Sequence, residues 1–172
     1  MAENKTQDAI ALLKEDHRTV EKLFKDFESA KGDGRKEALA QQICLELSVH
    51  AAIEEEIFYP ACEGKVEEDL LKESYVEHDA AKVLIAEITA GQGADDEFFD
   101  AKVKVLQEEI EHHVEEEEAR VEGLFSQARK AGVDMDALGQ EMAARKAELI
   151  ASYKKGGLPR PELTTMESTT TA

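Results

Sequence analysis

Apolar residues recur along this chain at alternating steps of three and four, the spacing of a helix face turned toward a core. The first stripe is Ile10, Leu13, Val20, Phe24 and Phe27, and it predicts a helix over about residues 7–30, broken by the KGDGR segment at 31–35. The second stripe, Leu39, Ile43, Leu47 and Ile57, predicts a helix over 36–59. Pro60 is expected to end it, because proline disfavours helix in the residue before it. Leu71, Tyr75, Ile85 and Ile88 predict a third helix over 67–90, followed by a GQGADD turn at 91–96. Phe99, Val103, Leu106, Ile110, Val121 and Leu124 predict a fourth over 97–131. A shorter fifth helix is expected from Asp134, an N-cap residue type, to about 153, with Leu138, Met142 and Leu149 on its apolar edge. The tail from Gly156 is small, polar and proline-broken, and is expected to be disordered. The pattern is therefore all-α: a four-helix bundle over residues 1–131, a C-terminal helix over 132–155 and a tail over 156–172.

Each of the first four stripes has a gap, and polar residues fill the gaps. His17 sits on the first seam, His50 and Glu54 on the second, His78 on the third, His113 and Glu117 on the fourth. The order is a lone histidine, then His-x-x-x-Glu, and the same again. Residues four apart on a helix share a face. DHRTVEKLF aligns loosely with EHDAAKVLI, and HAAIEEEIF with HVEEEEARV, so the halves look like an internal repeat.

A lone histidine on an apolar face is more often a satisfied core residue than a ligand. Four of them, with two seam carboxylates at matched spacing, reverse that reading. Burying an unpaired carboxylate costs several kcal/mol, so Glu54 and Glu117 need a partner. Two first-row transition-metal ions supply one, with carboxylates able to bridge and neutral imidazoles completing each coordination sphere.

Helical phase separates neighbours. The fourth seam steps from Leu106 to Ile110, His113 and Glu117, and His112 is rotated by about 100° from His113. His112 is thus expected at the surface or behind the ligands, and Glu117 is preferred to Glu115, Glu116 and Glu118. Glu55 and Glu118 flank the seam; they are candidates for a supporting or swing-in role, with a solvated face the more common reading. Tyr75, one turn before His78, is read as a core aromatic ahead of a redox or hydrogen-bonding role.

Charge and cysteine usage narrow the function. A net charge of −18 opposes binding to nucleic acid and to anionic membranes. No apolar run is long enough to span a bilayer, and the N-terminus lacks the apolar core of a secretory signal, so a cytoplasmic protein is expected. Cys44 and Cys62 form no metal or redox motif. Cys44 is expected in the core, and Cys62, after Pro60, nearer the surface.

At these residues the chain resembles the hemerythrin-like (HHE) cation-binding domains. The matching segments are LLKEDHRTV, HAAIEEEIFYP, YVEHDAA and HHVEEEEARVEGLF, spanning about residues 9–125. The resemblance implies an up-down four-helix bundle holding two non-haem iron ions joined by an oxo or hydroxo bridge. By matching position it implies His17, His50, Glu54, His78, His113 and Glu117 as ligands, with Glu54 and Glu117 bridging. Members bind dioxygen, respond to oxygen or nitric oxide, handle peroxide, or take part in iron homeostasis. This chain departs from the oxygen carriers at two places. Lys82 stands where they have a second histidine on the third helix, and Glu118 stands where their last motif has aspartate. The departures favour redox chemistry or sensing over reversible oxygen carriage. The leading expectation is a di-iron protein that binds or reduces dioxygen, nitric oxide or hydrogen peroxide. The alternative is a non-enzymatic iron or redox sensor whose metal-dependent folding controls a protein partner. Zinc or manganese would also suit such ligands.

Overall fold

The computed structural model describes residues 7–167. Helix α1 (Ala9–Ser29) starts where the Asp8 side chain accepts a hydrogen bond from the Ala11 amide at 2.8 Å. Helix α2 (Asp33–Ile53) runs into a π-helical turn (Glu54–Phe58) and then α3 (Tyr59–Cys62). Helix α4 (Glu68–Ala90) leads through a short 3-10 turn (Gly93–Asp95) to α5 (Phe99–Glu118). Helices α6 (Leu124–Lys130) and α7 (Met135–Gly156) complete the chain of helices.

α1 packs on α2, α4 packs on α5, and α2 on α4, which gives the four-helix bundle. Its interior has two apolar cores. One gathers Val20, Phe24, Phe27, Ile43, Ile85 and Leu106 at the end of the α1–α2 and α4–α5 turns. The other gathers Leu13, Ile53, Phe58, Leu124, Phe125 and Met142 at the opposite end. The stripe positions filled by histidine and glutamate fall between them, so the bundle carries one polar layer across its middle.

Several boundaries differ from those the periodicity predicts. Pro60 does not end its helix. The Tyr59 amide bonds back to the Glu54 carbonyl, five residues earlier, and helix continues to Cys62. A proline in a helix lacks an N–H and its ring crowds the carbonyl four residues back; a widened turn just upstream accommodates both. Cys62, expected nearer the surface, is wholly buried, and burial pushes its thiol up to about 12; Cys44 is buried as expected.

The fourth helix stops at Glu118 instead of continuing to 131. The run Glu115–Glu118 occupies a helix C-terminus, where negative charge meets the negative end of the helix dipole. The chain peels away, leaving Val121 62 % exposed, and re-enters the core at Leu124. Gly123 permits this bend: a Cβ there would sit 2.4 Å from the Ala119 carbonyl oxygen.

The fifth predicted helix is not short. At 22 residues α7 matches the bundle helices in length and packs on both α1 and α2. Gly139 allows the close approach, since a Cβ there would meet the Gln7 carbonyl oxygen at 2.3 Å. The tail also differs from its compositional expectation of disorder over residues 157–167. Asp79, wholly buried, accepts hydrogen bonds from the amides of Thr164, Thr165 and Met166 and from the Thr165 hydroxyl, at 2.6–3.0 Å. The remaining tail residues, 168–172, lie outside the described residues. No described helix is long and apolar enough to cross a membrane.

Candidate metal centre

The polar layer brings together all six residues singled out on the seams. His17, His50, Glu54 and Glu117 each point one nitrogen or oxygen into a first cluster, the atoms lying within 4.8 Å of one another. Glu54, His78 and His113 do the same in a second cluster. Each carboxylate faces both ways. Glu54 places Oε1 3.2 Å from His50 Nε2 and Oε2 3.0 Å from His78 Nε2. Glu117 places Oε2 3.3 Å from His17 Nε2 and Oε1 3.5 Å from His113 Nε2. Both glutamates have no solvent exposure at all.

The histidines are clamped from behind by a second ring of carboxylates. Nδ1 of His17 meets Glu118 at 2.7 Å, that of His50 meets Asp16 at 3.3 Å, that of His78 meets Glu55 at 3.0 Å, and that of His113 meets Glu77 at 2.6 Å. An ionised carboxylate only accepts, so each Nδ1 carries the hydrogen and donates it. In the neutral ring this leaves a lone pair on every Nε2. The Nε2 atoms face one another, at 3.2 Å between His17 and His50 and 3.3 Å between His78 and His113. Three of the four clamps are themselves held by cations. Arg18 pairs with Glu118, Lys146 pairs with Asp16, and Lys82 reaches Glu55 at 2.8 Å.

Four lone pairs and two carboxylates converging in a buried layer repel one another unless positive charge lies among them. The side chains register that demand. Burial pushes the His50 ring down, but Glu54 and Asp16 outweigh it and hold it at about 10. Burial likewise lowers His17 and His113, while Glu117 and Glu118 raise the first and Glu117, Glu54 and Glu77 raise the second above the ordinary value. Glu54 is driven up by burial and further down by His50, His113 and His78, ending well below the carboxylate range. Glu54 Oε1 and Glu117 Oε2 are buried and have no hydrogen-bond partner. Bound cations answer the same need as protons here, and the imidazole and carboxylate set suits first-row transition metals.

Tyr59 lies at the centre of the layer, although the sequence pattern did not single it out. Its hydroxyl is 2.9 Å from Glu117 Oε1, 3.1 Å from Glu54 Oε2 and 3.2 Å from His78 Nε2. Burial and the two carboxylates raise its ionisation well above the usual phenol range, so it stays a hydrogen-bond donor. In an α-helix a residue five after Glu54 would face elsewhere; the π turn swings Tyr59 back over it. Tyr75, the aromatic expected near the site, instead stands edge-on to Tyr59 at 5.1 Å, with no hydrogen bond to the six residues.

His112 faces away with a 64 % exposed side chain, as its phase requires, and meets Glu77 and Glu116 at 3.6 and 3.2 Å. Asp16 and Glu77 were missed from sequence. Their signal is positional: each immediately precedes a lone seam histidine, as Glu55 and Glu118 each immediately follow a seam glutamate.

Residues 8–125 match the family model of the hemerythrin HHE cation binding domain. Among solved structures, the chain is similar to a hemerythrin HHE cation binding domain-containing protein from Mycobacterium kansasii. The TM-score is 0.72 at 20 % identity, over 88 % of this chain and 94 % of that one. It is also 30 % identical over 108 residues to a DNA nickase from a Nostoc species; the match takes in 63 % of this chain and spans only 30 % of that relative.

Proposed function

The chain belongs to the family of hemerythrin HHE cation-binding domains, and from that premise we propose that its polar layer holds two non-haem iron ions. His17 and His50 would serve one ion, His78 and His113 the other, with Glu54 and Glu117 shared between them. The observation that carries this is the convergence of four Nε2 lone pairs on two carboxylates whose oxygens Glu54 Oε1 and Glu117 Oε2 have no hydrogen-bond partner. Two iron ions there would supply an open coordination position and electrons for binding or reducing dioxygen, nitric oxide or hydrogen peroxide.

The chain's own residues do the rest. Asp16, Glu55, Glu77 and Glu118 orient the rings and keep Nδ1 protonated. Phe125 stacks on His17 at 5.8 Å and, with Phe58 and Tyr59, excludes water from that end. Tyr59 keeps a proton at its hydroxyl beside both carboxylates. The nickase activity named for the Nostoc relative finds no support in a net charge of −18, which opposes contact with phosphates.

The test is metal content per chain with an ultraviolet-visible spectrum, on protein expressed with added iron. The expected result is two irons per chain with near-ultraviolet bands, the bands being lost in His50→Ala and Glu117→Ala. Sub-stoichiometric iron without those bands sinks the reading. A sensor role draws on one further observation: α7 and the tail touch the clamps directly, through Lys146 on Asp16 and through Thr164 on Glu55. Metal loss that strips helix content and loosens this C-terminal region favours sensing; unchanged helix content removes it.

A further inference from the structure

A cavity of about 490 Å³ lies beside the polar layer, between α2, α4, α7 and residues 158–162. His17, His50, His78 and His113 contribute its inner end, whereas the wholly buried Glu54 and Glu117 do not reach it. Small side chains open the space. Ala51 and Ala52 on α2 and Ala81 and Ala86 on α4 line it, with Ile85 and Leu149. The buried face of α4 carries Leu71, Ile85 and Ile88 but only Ala81 beside the histidine layer.

The charges on its walls are largely matched. Lys82 pairs with Glu55 at 2.8 Å and Arg145 with Glu56 at 2.7 Å, while Arg160 is exposed at the outer rim. The tail fixes the outer wall: the Lys82 ammonium donates to the Glu162 carbonyl at 2.9 Å, and Asp79 anchors Thr164–Met166 just beyond. Dioxygen, nitric oxide or hydrogen peroxide would leave most of this volume empty. An apolar cavity of about 150 Å³ takes benzene, so one of about 490 Å³ has room for a chain of about ten carbons.

The geometry points to a ligand site for the organic part of a larger molecule. The cavity binds a neutral, medium-chain aliphatic compound with one oxygen function, an alcohol or hydroperoxide, whose polar end meets the histidines. Only the identity of what lies at that inner end rests on the di-iron reading. The small, largely apolar inner walls suit an aliphatic chain, and the matched charges together with the acidic surface disfavour an anion.

The experiment is a calorimetric titration of the full chain with 1-decanol, 1-octanol and octanoate, with metal content measured on the same samples. Saturable binding of one decanol per chain is expected, with octanoate at least tenfold weaker than octanol. Ala86→Phe and Ala52→Leu, which fill the cavity from different helices, are each expected to weaken decanol at least tenfold at unchanged helix content. No saturable decanol binding, or equal binding by both filled variants, overturns the proposal; octanoate binding as tightly as octanol overturns its neutral-ligand part. Two irons per chain with no decanol binding would leave the di-iron reading standing alone. Decanol binding that both substitutions abolish, in protein that takes up no iron, would leave the cavity site standing alone.

Discussion

The two clusters of the polar layer are built from the same repeat, yet they are not equivalent. The first joins His17 and His50 to both glutamates; the second joins His78 and His113 to Glu54. Each histidine of a cluster meets one carboxylate from behind, and each cluster has an aromatic ring against one histidine supplied by the other half of the chain. Against His17 that ring is Phe125, parallel and apolar; against His78 it is Tyr59, tilted, with a hydroxyl among the carboxylates. The cause lies just after each His-x-x-x-Glu-Glu. In the first half the helix widens into a π turn and continues past Pro60, bringing Tyr59 inward. In the second half it ends at Glu118, and the chain returns through Gly123 to deliver Phe125. A repeated His-x-x-x-Glu pattern thus gives two environments: one stacked with hydrocarbon, the other holding a proton donor.

Glu54 is the residue that should erase the comparison, since it belongs to both clusters. Glu54→Ala is expected to abolish metal uptake at both, a larger loss than the roughly 10–100-fold that follows removal of a ligand's outer partner. Metal analysis after dialysis checks it; retention of one tightly held ion would show that the second cluster does not depend on this carboxylate. The clamps should separate the clusters. Asp16→Asn is expected to weaken the first and Glu77→Gln the second, each by about 10–100-fold, read as loss of one step in a two-step metal titration. Equal weakening of both steps by either change would mean the clusters act as one unit.

Proton linkage gives the next contrast. In metal-stripped protein His50 titrates near 10 rather than at its ordinary 6.5, so its contribution to stability is complete below about 6.5 and is lost as pH rises toward 10. Glu54 titrates below its ordinary 4.5, so its contribution is present above that value and lost as pH falls through its lowered value. Melting temperature against pH should therefore fall on the alkaline side between about 6.5 and 10. His50→Gln should flatten that limb; an unchanged alkaline limb would remove His50 as its source.

Tyr59→Phe tests the difference in aromatic caps. Losing a donor to buried carboxylates is expected to cost the metal-free protein about 1–3 kcal/mol in urea unfolding. Metal stoichiometry should stay at the wild-type value. Loss of one ion in Tyr59→Phe would make the tyrosine essential for holding the second cluster. The smallest effect is expected at His112→Ala. That ring is mostly exposed and out of phase, so metal affinity should change by less than about twofold, within the ±0.5 kcal/mol of ordinary surface substitutions.

How much of this was legible in the sequence follows from the range of each interaction. The stripe residues Leu13, Phe24, Ile43, Leu106 and Leu124 are all buried where periodicity put them, because a helix fixes its own face over one turn. The same rule separates His113 from His112 and Glu117 from its neighbours. It failed where the backbone left the α-helical repeat. Val121 was carried outward by the break after Glu118, and Tyr59 was carried inward by the π turn. Pro60 and the run Glu115–Glu118 are the local marks of those departures, but each is compatible with a helix that simply ends. Asp79 gave no sign that it would gather the amides of Thr164, Thr165 and Met166, since that contact joins residues 85–87 positions apart.

The sequence by itself determined the all-helical bundle, the twice-repeated histidine and glutamate pattern and the depth of those histidines and glutamates, because each depends on spacing within a single helix. The tertiary structure alone decided which carboxylate stands behind which imidazole. Glu118 reaches His17 and Glu55 reaches His78 only when helices from different halves pack together. It also decided that Tyr59 and Phe125 cap the two clusters differently, and that the tail walls a cavity beside them. Those outcomes depend on helix register and on the path of irregular backbone, which no periodicity within one helix encodes.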